Sequence, residues 1–225
     1  MIDPGKKDIK SYVLRVGRLS KLQQRAVETL SNQFCIPFEN KILNFETVFG
    51  NNNPVVLEIG FGMGHATVEI AENNRDKNYL AIEVHTPGVG KVLSEIEIRK
   101  LTNILIIQYD AVQVIRNMIP EKSLEGVHVF FPDPWPKKKH HKRRLIQKEF
   151  VKELIFLVKK GGYLYIATDW EDYAQQILSV LDTIRELVNP YSSFAGKIDW
   201  RPNTSFEKKG IAKNHIIRDI WYELE

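Results

Sequence analysis

Four acidic residues stand where apolar runs of this 225-residue chain end. Glu58 opens a glycine series, Gly60, Gly62 and Gly64, in the stretch LEIGFGMG. Glu83 follows the run from Tyr79, Asp110 follows Ile104 to Gln108, and Asp133 lies just past Val127 to Phe131. Glycines at alternate positions let a backbone turn sharply and approach a ligand without Cβ collisions, and a following helix offers its first amides. The spacing is G-x-G-x-G, whereas dinucleotide enzymes use G-x-G-x-x-G. An acid just before the first glycine suits a cationic ligand better than a pyrophosphate. The other reading is a tight strand-to-helix turn with no ligand.

Glu83 lies 23 residues past Gly60, near the spacing at which a carboxylate accepts from ribose hydroxyls. Its alternative role is to cap the turn after the strand. Asp110 is placed to accept from an adenine amino group, or else to cap the helix that begins at Ala111. Three carboxylates beside a glycine turn together match an adenosine with a positive tail. S-adenosylmethionine has that form, with an ammonium and a sulfonium. Gly60 and Gly62 would meet the ligand through their backbone.

The fourth acid is embedded in FFPDPWP, Phe130 to Pro136, where three prolines fix φ and stiffen the loop that presents Asp133. Trp135 offers a surface for stacking on a base. The run KKKHHKRR, Lys137 to Arg144, follows at once. Removing its six formal charges from the net +4 leaves the rest of the chain at −2, so the basic character is local. Such a run is a solvated face, a targeting signal or a polyanion-binding patch, and its place beside Asp133 favours RNA phosphates. Lys138, Lys139, Lys142, Arg143 and Arg144 are the expected phosphate contacts, with Lys6, Lys7, Lys10, Arg15 and Arg18 from the N-terminal arm. With one cysteine, Cys35, in the whole chain, His140 and His141 read as part of the basic loop, and no metal site is expected.

These residues need strands to end beside one another. Val55–Ile59, Tyr79–Val84, Ile104–Gln108, Val127–Phe131 and Tyr163–Ala167 read as strands. Helices are expected over 66–73, 89–99 and 112–118, from the basic loop through Val158, where Gly161-Gly162 would end it, and over 173–187. Ile216–Tyr222 is the best strand candidate in the tail. Alternating strands and helices, with strands apolar throughout, predict an α/β fold with a doubly wound, mostly parallel sheet and helices on both faces. One domain spans 1–225, with a basic arm over about 1–30 and a C-terminal segment over about 194–225.

The chain closely resembles the bacterial tRNA (guanine-N(7)-)-methyltransferase family, in LEIGFGMG, IEVHTPGVG (Ile82–Gly90), FFPDPWPKKKHHKRRL (Phe130–Leu145), TDW (Thr168–Trp170) and RPNTSFEKKG (Arg201–Gly210). RVGRLSKLQQRA, Arg15 to Ala26, is similar to the family's opening segment. The resemblance implies the Rossmann-like class I methyltransferase fold, S-adenosylmethionine as cofactor and tRNA as partner. The methyl group would go to N(7) of the guanine at position 46 in the variable loop. Glu58, Glu83, Asp110 and Asp133 would line the cofactor site, with Asp133 the catalytic residue. Lys137, Asp169 and Thr204, Ser205, Phe206 and Glu207 would contact the guanine or its nucleotide. Ser205 stands where the family often has a basic residue.

Hydrophobic residues form 43% of the chain, enough to fill a core, and no apolar run approaches the ~20 residues of a membrane span. MIDPGKKDIKSY has no apolar signal-type stretch, so the cytoplasm is the expected compartment. No obligatory protein partner is indicated, and monomer and homodimer both remain open.

Overall fold

A computed structural model describes residues 10–13, 17–202, 207 and 216–225. The expectations placed on Lys6, Lys7, Arg15, Thr204, Ser205 and Phe206 lie outside the described residues.

Two helices precede the sheet, α1 (Lys21–Phe34) and α2 (Phe45–Phe49). Then β1 (Val55–Ile59), α3 (His65–Asn73), β2 (Asn78–Ile82), α4 (Thr86–Arg99), β3 (Ile104–Ile107), α5 (Ala111–Asn117) and β4 (Leu124–Phe130) alternate. A 3₁₀ turn over Lys138–Arg143 leads to α6 (Lys148–Leu157), β5 (Val158–Thr168), α7 (Glu171–Leu181), β6 (Leu187–Val188) and β7 (Arg218–Leu224). Among the described residues these strands form one seven-stranded sheet in the order β3-β2-β1-β4-β5-β7-β6. The first five run parallel, and β7 is antiparallel to both β5 and β6. Every residue of β1, β2 and β3 is buried, which explains why they are apolar on both faces apart from Glu58 and Asn78. One core fills each face of the sheet, one around Leu57, Ile82 and Val129, the other around Val56, Ala81 and Val92.

The order reverses between β1 and β4. From β1 the chain winds outward through β2 and β3, then returns to lay β4 on the other side. Diverging connections there leave a crevice beyond the carboxyl ends of the strands. Glu58, Glu83, Asp110, Asp133 and Asp169 all sit at or just beyond such ends.

Three details differ from the sequence reading. Residues 21–34, for which the sequence reading assigned no element, form α1, opened by a capping box: Ser20 Oγ accepts from Gln23 N, and Ser20 N donates to Gln23 Oε1 at 2.8 Å. This helix docks on α4, where Arg25 forks onto Glu97 with both contacts at 2.9 Å. Gly161-Gly162 do not end α6. Val158 is already extended and pairs with Leu124, so both glycines fall inside β5. Finally, α7 stops at Leu181, where Asp182 accepts from the Tyr222 hydroxyl at 2.5 Å and Leu187 turns into β6 beside Leu224.

Candidate functional site

The glycine turn comes first. Gly60 and Gly62 have φ of +76° and +58°, a region where other residues are strained. Gly88, at the start of α4, lets that helix approach the turn: a Cβ there would lie 1.9 Å from Gly62 O.

Glu83 ties the turn to β2. Its Oε2 accepts from Gly62 N at 2.7 Å, and its Oε1 accepts from Val84 N at 2.7 Å and His85 N at 3.0 Å. Three of about four lone-pair sites on the carboxylate are thereby used, leaving room for roughly one more donor such as a hydroxyl. Both readings of Glu83, turn cap and ligand acceptor, are compatible in one side chain.

Asp110 is drawn to its capping role. Oδ1 accepts from Val112 N at 2.9 Å, and Oδ2 pairs with Lys10 Nζ at 2.7 Å. Burial opposes the charge, but Lys10 and the α5 amides outweigh it and hold the carboxyl below the usual range. Glu58 lies deeper still, 2% exposed, with Oε2 buried and unpartnered. Burial pushes its pKa up to about 7, against the pull of the nearby Thr67 hydroxyl, with the charge of Glu83 adding to the rise; the hydroxyl does not reach hydrogen-bonding geometry, so the oxygen stays unpartnered. An unpartnered buried carboxyl oxygen behind a glycine turn is the kind of group that a cationic ligand would satisfy.

A cavity of about 420 Å³ opens at the crevice. Gly60, Gly62, Glu83 and Asp133 line it, with Tyr109, Phe131 and residues 11–13 closing other sides. Glu58 and Asp110 do not reach its wall. Asp133 is exposed, and its loop is held in strain: Phe131 and Trp135 have φ of +53° and +45°, uncommon for bulky residues. Such strain costs about 1–3 kcal/mol per residue and persists only where the surroundings enforce it. Here Trp135 Nε1 donates to Ser11 O at 3.0 Å, while the Arg143 guanidinium lies 3.8 Å from the centre of the Trp135 ring. Trp135 therefore serves first as a platform for Arg143.

The basic run divides into outward and inward members. Lys137, Lys138, Lys139 and Lys142 are exposed. Arg143 donates to Lys10 O at 3.0 Å. Arg144 corrects the sequence reading. Its side chain is 1% exposed and donates to Pro134 O at 2.8 Å, Gln176 Oε1 at 2.5 Å and Asp172 Oδ2 at 2.5 Å. With its donors turned inward onto the Asp133 loop and α7, it holds that loop and offers nothing to a phosphate. Lys10 is likewise occupied by Asp110, whereas Arg18 is exposed.

Asp169 stands half-buried just past the end of β5, one strand over from Asp133. Glu207 is 3% exposed, and both its oxygens accept from Arg201, at 2.6 and 3.3 Å. Glu207, expected to contact the guanine or its nucleotide, is also one half of a buried ion pair.

Residues 52–220 match a family described as "Putative methyltransferase". The tRNA (guanine-N(7)-)-methyltransferase of Nitrosospira multiformis is 51% identical over 94% of this chain and 93% of its own length. That of Neisseria meningitidis serogroup C is 46% identical over 96% and 91%. The chain belongs to the tRNA (guanine-N(7)-)-methyltransferase family. Among solved structures, the 16S rRNA methyltransferase KamB superposes with a TM-score of 0.60 at 13% identity, covering 82% of this chain and 95% of that one. TrmN from Thermus thermophilus gives 0.55 at 15% identity, over 91% and 48%. Likeness at such identities speaks for the shared fold alone.

Family and α/β fold thus stand as the sequence indicated. The family resemblance had pointed to the opening segment, but not to Ser11 and Tyr12 forming a wall of the cavity. No pattern in KSY signals it, because the contact depends on Trp135 and Arg143, more than a hundred residues away. Tyr109 was also missed, although its place next to Asp110 at the end of β3 was a usable sign. It stacks on Phe38, with centroids 4.0 Å apart. Among the described residues, no helix is long and apolar enough to cross a membrane.

Proposed function

We propose that this chain transfers a methyl group from S-adenosylmethionine to N(7) of a guanine in tRNA, at position 46 of the variable loop. The observation that carries the proposal is one cavity lined by the Gly60–Gly62 turn and Glu83 on one side and by Asp133, on its strained loop, on the other. The names borne by relatives at about half identity over nearly the whole chain give the substrate class.

The residues suit such a cofactor. The glycine backbone approaches closely, Glu83 keeps capacity for a ribose hydroxyl, and Glu58 lies buried behind the turn with an oxygen free to accept. When bound there, S-adenosylmethionine supplies an electrophilic methyl group. Guanine N(7) has a free lone pair at neutral pH, so no side chain must first remove a proton. The protein's task is alignment, and holding two reactants in register is worth several kcal/mol. As the base gains positive charge its N(1)-H becomes more acidic, and a carboxylate accepting from N(1)-H and the exocyclic amine stabilises that change. Asp133, exposed at the cavity, takes this role, with Asp169 just past the end of the neighbouring strand as the second candidate. That pairing selects guanine over adenine, whose edge presents a different donor pattern. The exposed Lys138, Lys139 and Lys142 grip phosphates, and Lys137 reaches the target nucleotide. His128 is no candidate base: burial pushes its pKa down to about 3, and it stays neutral against Tyr163.

The test is transfer of labelled methyl groups to unmodified tRNA, followed by digestion and mapping. Label recovered as N(7)-methylguanosine in the variable loop supports the proposal, and label in another nucleotide or position refutes it.

A further inference from the structure

Arg201 is the largest fully buried side chain among the described residues. Its Nη1 donates to Glu207 Oε2 at 2.6 Å and its Nη2 to Glu207 Oε1 at 3.3 Å. Its Nε lies 2.6 Å from the Tyr165 hydroxyl and 3.1 Å from Asp219 Oδ1. Tyr165 in turn donates to Asp219 Oδ1 at 2.6 Å. Two carboxylates thus share one guanidinium, with side-chain exposures of 0% for Arg201, 4% for Glu207 and 5% for Asp219. Withdrawing these charges from water costs several kcal/mol per ion, which ionic attraction only roughly offsets. An apolar plug of equal volume would stabilise the fold as well, so stability alone is a poor account of the cluster.

Its position suggests another. The planar fork fixes distance and orientation together, which a single-point contact cannot do. Arg201 and Glu207 flank Thr204, Ser205 and Phe206 in the sequence and are paired with each other. The guanidinium also lies 5.8 Å from the Phe130 ring centre and 5.9 Å from that of Phe131. Phe131 lines the cavity, has strained φ, and begins the loop that carries Asp133. One buried side chain therefore backs the Asp133 loop and holds Glu207.

We propose that Arg201 is a positioning residue for methyl transfer, which sets the orientation of Glu207 and the seat of Phe131 without itself touching the RNA. The inference rests on the proposed tRNA activity. It is tested on the full chain by measuring kcat and KM with unmodified tRNA, together with calorimetric Kd for S-adenosylhomocysteine. The variants are Arg201→Gln, Arg201→Lys, Glu207→Gln and the double variant Arg201→Gln/Glu207→Gln.

Arg201→Gln and Glu207→Gln should each lower kcat/KM for tRNA by roughly 30-fold or more, because misplacement by about an ångström is that costly. Cofactor Kd should move by less than about threefold, and the double variant should fall little below the worse single one, as for residues acting as a unit. Arg201→Lys should recover part of the loss, since it restores charge without the fork. Multiplicative losses in the double variant, or a cofactor Kd that weakens in step with kcat/KM, would overturn the proposal in favour of general loosening. If Arg201→Gln does not fold, Arg201→Lys, Glu207→Gln and their double variant give the same cycle, and kcat/KM within threefold of wild type in both singles overturns it. A wild-type chain that methylates no tRNA overturns the functional reading and this inference with it, whereas an active wild type confines any failure to Arg201.

Discussion

Replacing Glu58 with glutamine should make the protein more stable relative to wild type as pH rises. The buried carboxyl ionises at about 7 in the folded protein against an ordinary value of 4.5, because burial, and then the charge of Glu83, disfavour its ionised form. Between those values the folded state keeps a proton that the unfolded state releases, so rising pH favours unfolding. The carboxyl's contribution is fully present below pH 4.5 and is lost as pH climbs through 7. At about 1.4 kcal/mol per pH unit, that window is worth roughly 3 kcal/mol. Glutamine has no such titration. The difference in unfolding free energy, variant minus wild type, should therefore rise by roughly 3 kcal/mol from pH 4 to pH 8, whatever constant offset the amide introduces. His128 titrates in both proteins and cancels. Urea denaturation at five or six pH values in that range measures the difference directly. A difference that stays flat with pH would show that Glu58 ionises normally, and the account of a charge-starved carboxyl behind the glycine turn would be wrong.

Asp133→Asn should lower turnover roughly 100-fold, since its work at the cavity is electrostatic. Initial rates with saturating tRNA measure this, and full turnover would remove Asp133 from the mechanism. Changing Lys138, Lys139 and Lys142 together to glutamine should raise KM for tRNA more than it lowers kcat. It should also flatten the log Kd against log salt slope by up to about three; an unchanged slope would mean that these lysines meet no phosphates. Arg144→Gln should do the opposite, lowering stability by about 2 kcal/mol through its lost buried hydrogen bonds while leaving the salt slope intact.

What was legible in the sequence was what depends on short range. The glycine turn, the apolar strands and the acids at their ends follow from a few adjacent residues, and the parallel fold follows from their alternation. The opening of α1 was equally legible, since S-x-x-Q at Ser20–Gln23 spells a capping box, and it was passed over. Gly161-Gly162 misled because a glycine pair past a helical pattern also suits a bulged strand, and the pairing of Val158 with Leu124 decides between them. Arg144 was the substantive misreading, and the ion pair of Glu207 was not foreseen. A charge in a basic run, or in a motif, gives no sign of facing inward until its partners, Asp172 and Arg201, are placed beside it. Asp110 shows the same limit, because the pairing of its other oxygen with Lys10, a hundred residues away, has no sign in the sequence around it.

The most direct test of the central claim replaces a single atom of the substrate. A tRNA with 7-deazaguanosine at position 46 keeps the Watson–Crick edge and the phosphates but has carbon in place of N(7). The account predicts binding within about twofold of the guanosine tRNA, with no label transferred from S-adenosylmethionine to that nucleotide. Transfer at an undiminished rate would show that the methyl group goes to another atom, and would contradict the proposed reaction while leaving the fold and cavity as described.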